Sequence, residues 1–282
     1  MEEQPFFKGH EVISNHGSST GIIPRFLNQP MEIASFGIGK ENSEKIFNLF
    51  LKKNIKDFTD FYDLHKEIVD DYTEFINGLR SGKYFSINDK KQFSLDRSLE
   101  IKLHSNIEKF YIKGRLLVNN FAKSKIIDSE HFILNDFLIV SDKNFEKNKK
   151  LYFENDSSKK FEILIKIIED ARKNFLNTFN QIRADFEHQN LEVPKVIVNT
   201  NNGEITEVGM TSNATLIEEI NYFYDAILNM VENLMIFYFG ILAVEKNEMM
   251  GVFRSEIYDY SQFSYRFVIF PRMNMEGFTL II

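Results

Sequence analysis

Two side chains in the segment QIRADFEHQ, residues 181–189, are of the types that phosphate chemistry needs. Arg183 carries a planar guanidinium whose fork of N–H donors matches a phosphate, and His188 carries an imidazole, the side chain most often used as general acid or base. Four residues separate the two. They are either an RNA-cutting site or two surface side chains that happen to fall close together.

The segment closes the clearest helical pattern in the chain. Phe161, Leu164, Ile168, Ala171, Phe175, Phe179, Ile182 and Phe186 recur at steps of three or four over residues 158–190, which predicts one long amphipathic helix. At about 100° per residue, Arg183 lies about 60° from Phe186 on the apolar stripe and His188 about 160° away. His188 is therefore expected to face solvent, a ligand or another subunit. Arg183 and His188 are about 140° apart, so one ideal helix cannot aim both at the same phosphate unless its last turn unwinds. A second copy of the helix across a two-fold axis would solve this, because each residue then comes close to its symmetry mate.

The rest of the chain predicts a mainly α protein, a bundle of long helices with a small β-hairpin and a C-terminal strand. Residues 1–41, punctuated by Gly9, Gly17, Gly21, Pro24, Pro30, Gly37 and Gly39, read as an irregular arm. Residues 42–250 read as the bundle. Its helices are a short one from Ser43 to about Lys53, a longer one closed by Gly82, a third starting near Ser94, the one over 158–190, and a fifth over about 214–244. The lysine-bearing stretch from Asp142 to Lys160 reads as a solvated loop. Two β-rich runs around Asn202-Gly203 predict a hairpin over 195–210, and residues 251–282 predict a C-terminal strand that pairs with it.

Composition closes several function classes. The chain has 282 residues, 43% of them hydrophobic, and no cysteine, which excludes disulfides, thiolate zinc sites and a cysteine nucleophile. The net charge of −7 argues against a broad basic surface for duplex DNA. The 29 phenylalanines fall at helical spacing and read as core packing. MEEQPFF lacks the pattern of a secretory signal, and the apolar run Leu234–Val244 is about half the roughly 20 residues of a membrane span, so a cytoplasmic location without membrane contact is expected. The histidines at 10, 16, 65, 104, 131 and 188 show no metal-ligand spacing, and no metal or cofactor is expected. ASFGIGKEN fails as a phosphate-binding loop, since Ala34 replaces its first glycine and Glu41 its Ser or Thr.

Over roughly residues 95–245 the chain resembles the HEPN superfamily, α-helical bundle proteins whose nuclease members carry an arginine, four to six intervening residues, and a histidine. Arg183 and His188 match that motif. The resemblance implies a homodimer with a composite site at its interface and metal-independent RNA cleavage by the ribose 2′-hydroxyl. In that site His188 would be general acid or base and Arg183 would stabilise the transition-state charge. Asp185 could reach back to orient the His188 ring, and Glu187 could support Arg183. Ala184 stands where active members commonly carry a polar residue. A second match, Arg97 and His104, lies on the third helix with six residues between them and is the weaker rival. By analogy the protein would be a toxin or antiviral effector, with RNA as substrate and a protein antitoxin or regulator as partner. The alternative is a non-catalytic HEPN-like interaction or ligand-binding module, in which Arg183 and Glu187 form a surface ion pair and His188 is an ordinary exposed residue.

Overall fold

The computed structural model describes residues 22–83, 85–87, 93–95, 98–130, 132–156, 158–188, 195–198, 204–210, 214–245, 248–252 and 267–271. Among these the fold is mainly α, a helical bundle with short antiparallel hairpins. The helices are α1 (Ile22–Ile38), α2 (Lys40–Arg80), α3 (Ser98–Lys123), α4 (Asn135–Leu138), α5 (Asp142–Asn155), α6 (Glu162–Ala171), α7 (Asn177–Glu187) and α8 (Leu216–Val244). A π-helical segment, Arg172–Leu176, joins α6 to α7. The strands pair as β1 (Phe85–Ile87) with β2 (Phe93–Leu95), β3 (Lys195–Val198) with β4 (Ile205–Val208), and β5 (Glu248–Val252) with β6 (Phe267–Pro271). The chain divides into two compact units, one of residues 1–56, 118–171 and 228–282, the other of residues 57–117 and 172–227.

In the first unit the core is aromatic. Phe132 stacks on Phe137 at 5.0 Å, Phe161 on Tyr238 at 5.8 Å, and Phe47 tilts against Phe239 at 5.9 Å. The Tyr238 hydroxyl donates to the Asp128 carbonyl at 2.8 Å, so the polar tip of a buried ring is satisfied. Where an irregular arm was expected over 1–41, residues 22–38 form α1 with Pro30 inside it. Its glycine is a packing device: a Cβ at Gly37 would stand 2.8 Å from the Phe239 carbonyl oxygen. The break comes at Gly39, whose φ of +85° only glycine adopts cheaply, and α2 starts one residue later. ASFGIGKEN is thus the end of α1, a turn and the start of α2.

The expected loop at 142–160 is largely α5. The Ser141 hydroxyl accepts from the Asn144 backbone N–H at 3.3 Å as its N-cap, and Phe145 and Tyr152, two turns apart, are buried. The lysines cover the other faces. The expected C-terminal strand exists as β6, but it pairs with β5 and not with the β3–β4 hairpin, Met250 opposite Ile269. In α8 the apolar character starts well before Leu234. By length and composition the helix could cross a membrane, and 67% of its most apolar stretch is buried inside the protein, as in the core helix of a bundle. That corrects the short apolar run expected from the sequence.

In the second unit, residues 57–80 of α2 bury Phe58, Phe61, Ile68, Tyr72, Phe75 and Leu79. The short helix and the longer one expected before Gly82 are one helix of 41 residues, since no glycine or proline stands near Lys53 to break it. Gly82 does end it, with φ +76° and its N–H bonded to the Leu79 carbonyl at 3.1 Å. Ser94 lies in β2, and α3 begins at Ser98. The β3–β4 hairpin forms where expected, Val196 opposite Glu207 and Ile197 opposite Thr206, while its Asn202-Gly203 turn lies outside the described residues. Arg80 donates to Glu207 at 2.8 Å, tying this hairpin to the end of α2. Glu219 on α8 is 3% exposed and accepts the Met210 N–H at 2.5 Å, which fixes the chain between β4 and α8.

Candidate functional site

The site residues ride on α7 and on the part of α3 that packs against it in the second unit. The core face of α7 is Phe179, Ile182 and Phe186, all buried. Residues 98–117 of α3 run antiparallel to it: His104 meets the Phe186 ring edge-on at 5.7 Å, and Tyr111, further along α3, meets Phe179 at 4.8 Å. The two helices approach so closely at Gly114 that a Cβ there would stand 2.6 Å from Phe179 Cζ and 2.9 Å from Phe61 Cε2. Arg115 is the next residue. The glycine therefore lets the backbone before Arg115 pack directly on the rings of Phe179 and Phe61.

Arg172 opens the π segment. Over residues 172–176 the helix takes in extra chain per turn, which shifts the phase of α7 relative to the residues before it. Such segments recur at functional sites because they re-aim side chains without ending the helix. The Tyr222 hydroxyl donates to the Asn174 carbonyl at 3.3 Å in this loosened turn. Arg172 is only 7% exposed, and Phe175 and Leu176 of the same segment are buried with it.

Arg115 of α3, Arg172 of the π segment and Arg183 of α7 all belong to the second unit. Arg115 is half-buried. Burial, and then the positive charges of Arg183 and Arg172, lower its hold on its proton from the ordinary value. No carboxylate among the described residues forms an ion pair with Arg115. Arg183, with its side chain 32% exposed, is ion-paired with Glu187 one turn along α7. Arg183 thus has an acid one turn away, and Arg115 lies within reach of the positive charge of both Arg172 and Arg183.

His188 caps the C-terminus of α7 and is exposed. Its N–H still bonds the Ala184 carbonyl at 3.0 Å, so the last turn does not unwind. The separation of about 140° between Arg183 and His188 on a wound helix consequently stands. Asp185, expected from the sequence to orient the His188 ring, has its carboxylate accepting from Gln181 Nε2 at 2.9 Å, and among the described residues no hydrogen bond joins it to His188. A side chain at i+4 on the same face is the nearer partner. Glu187 does hold Arg183, as expected of both a supporting residue and a plain surface pair. In the rival pair, Arg97 lies outside the described residues and His104 is half-buried against Phe186.

His65, on α2 in the same unit, has a structural place. Its ring stacks on Tyr224 at 4.1 Å, and a ring nitrogen pairs with Asn221 Oδ1 at 2.8 Å. Burial lowers its proton affinity and the Asn221 bond opposes that. Among the described residues no group of His, Asp and Glu has the arrangement of a metal site. Arg115 and Arg172 were not among the residues expected from the sequence. Arg172 was visible in principle, since Ile168, Arg172, Phe175 and Phe179 form an i, i+4, i+7, i+11 row in which one apolar position is a cation. Arg115 left no such mark. No protein family, no curated protein and no solved structure matches the chain.

Proposed function

We propose that the chain is a HEPN-like, metal-independent endoribonuclease that acts as a homodimer. The observation that carries this reading is the exposed imidazole of His188 at the end of the helix that bears Arg183. An imidazole can give or take a proton at a reacting oxygen, and Arg183 supplies positive charge that a phosphodiester with an extra negative charge needs. Because α7 stays wound through His188, the two residues point to different sides of one helix. A second copy is what brings an imidazole to the phosphate that Arg183 holds.

In the reaction the ribose 2′-oxygen attacks the adjacent phosphorus and the 5′-oxygen departs, giving a 2′,3′-cyclic phosphate and a 5′-hydroxyl. One imidazole takes the 2′-hydroxyl proton and another protonates the leaving oxygen. Arg183 exchanges its internal partner Glu187 for the phosphate as charge builds on the non-bridging oxygens. A role as a toxin or antiviral effector, held in check by a protein regulator, follows by analogy with the HEPN fold. The Arg183–Glu187 ion pair is the one observation that favours a second reading, a non-catalytic module whose helices form a partner surface.

Sedimentation and RNA incubation in EDTA separate the two. The nuclease reading expects a dimer whose cleavage disappears in His188→Ala. A monomer, or cleavage that His188→Ala leaves intact, rejects it.

A further inference from the structure

Among the described residues of the first unit, the last turns of α8 leave a groove beside α6. Phe237, Gly240, Ile241 and Val244 recur at i, i+3, i+4 and i+7 along α8 and line it, and Ile163 of α6 adds to the same apolar wall. Gly240 contributes no side chain, which keeps the lane hollow between Phe237 and Val244. The cavity so formed has a volume of about 700 Å³.

The rest of the lining is charged. Lys159 and Lys160, in the turn before α6, and Lys166, three residues past Ile163, share the groove with Glu162 and Glu245. Lys160 is ion-paired with Glu245 at 2.7 Å, whereas neither Lys159 nor Lys166 forms an ion pair among the described residues. Glu162 sits in the first turn of α6, where the helix dipole favours an acid. Three lysines against two acids leave the groove with a net positive charge. Lys159 holds its turn in a left-handed backbone, φ +52°, which a lysine adopts at a cost. An apolar lane beside lysines without acids complements a molecule with an apolar chain and one anionic head. Small-molecule sites enclose roughly 300–1,000 Å³, a range that includes this cavity. The lane itself is two turns of α8, about 10 Å long, which is small beside the roughly 800 Å² that each side of a stable protein interface buries.

We propose that this groove binds a free medium-chain fatty acid anion, its alkyl chain along Phe237, Ile241 and Val244 and its carboxylate at the lysines Lys159 and Lys166. The groove belongs to the unit that does not carry Arg183 and His188, so its test is separate from that of the nuclease reading.

The full chain is titrated calorimetrically with hexanoate, octanoate and decanoate below their micelle-forming concentrations, as wild type, Val244→Glu and the double variant Lys159→Gln, Lys166→Gln. All three positions are exposed, so the variants keep the wild-type melting temperature. In the wild type each added methylene tightens binding about fourfold. Decanol, which lacks the charged head, binds about tenfold more weakly than decanoate, and the double lysine variant loses that difference. Val244→Glu, with a carboxylate in the lane, binds none of the three acids. Absence of decanoate binding to the wild type, affinity that does not rise with chain length, or binding that Val244→Glu leaves intact overturns the site. Equal affinity for decanol and decanoate overturns the anionic head. Sedimentation with phosphatidylglycerol vesicles of the wild type but not of Val244→Glu, without decanoate binding, makes the occupant a membrane lipid and overturns the free-ligand assignment.

Discussion

Gly114→Ala is the sharpest probe of how the bundle positions its arginines. In most helices this change adds stability, since alanine exceeds glycine by about 1 kcal/mol in helix propensity. Here the new Cβ would stand 2.6 Å from Phe179 Cζ, 2.9 Å from Phe61 Cε2 and 3.2 Å from Phe61 Cζ. Both rings are fully buried and packed, Phe61 stacked on Phe110 at 4.7 Å and Phe179 against Tyr111 at 4.8 Å, so neither can swing aside without disturbing a neighbour. Overpacking of a filled core costs about 1–3 kcal/mol, and two contacts inside 3.0 Å place this case at the upper end. Subtracting the propensity gain leaves a net loss of about 2 kcal/mol, or a fall of roughly 5 °C in melting temperature. Urea unfolding of the purified variant measures the first and calorimetry the second. A variant as stable as the wild type would refute the close crossing of α3 and α7 at Gly114 and, with it, the packing of the backbone before Arg115.

Three more side chains give measurable outcomes. Stability falls as pH drops below 6.5: burial holds the folded His65 imidazole below that ordinary value, so the unfolded chain takes up its proton first. The contribution is whole above 6.5, and His65→Gln, melted across the same range, shows a flatter profile. Glu219→Ala leaves the Met210 N–H without its buried acceptor and costs about 1–3 kcal/mol in chemical denaturation; a neutral result would contradict the anchoring of the β4–α8 connection. Glu187→Gln costs only a few tenths of a kcal/mol, since the pair with Arg183 is partly exposed, but it frees Arg183 and strengthens binding of a single-stranded oligoribonucleotide. Unchanged binding would mean that Arg183 does not meet phosphate.

The helices were legible where apolar residues recur at three and four and no strong signal competes, as in α6 through α7 and in α8. They were misread where local punctuation outweighed packing. Pro30 and Gly37 suggested an irregular arm, yet Gly37 is small because Phe239 lies against it. The lysines of α5 hid the two-turn spacing of Phe145 and Tyr152 that buries this helix. Strand partners depend on contacts distant in sequence, which is why β6 was expected on β3–β4 and pairs with β5. At the site, the exposure of His188 followed from its angle to Phe186 on one helix. Arg115 could not be found that way, because it joins Arg183 only once α3 has folded against α7 at Gly114.

The ends of the cut RNA report on the proposed 2′-hydroxyl chemistry. The wild-type chain is incubated with an end-labelled single-stranded RNA in excess EDTA, and the products are read by mass spectrometry. The wild type is expected to give fragments carrying a 2′,3′-cyclic phosphate and a 5′-hydroxyl, and His188→Ala to give none. Intact RNA in both samples, or the same fragments from the variant, would contradict the nuclease reading.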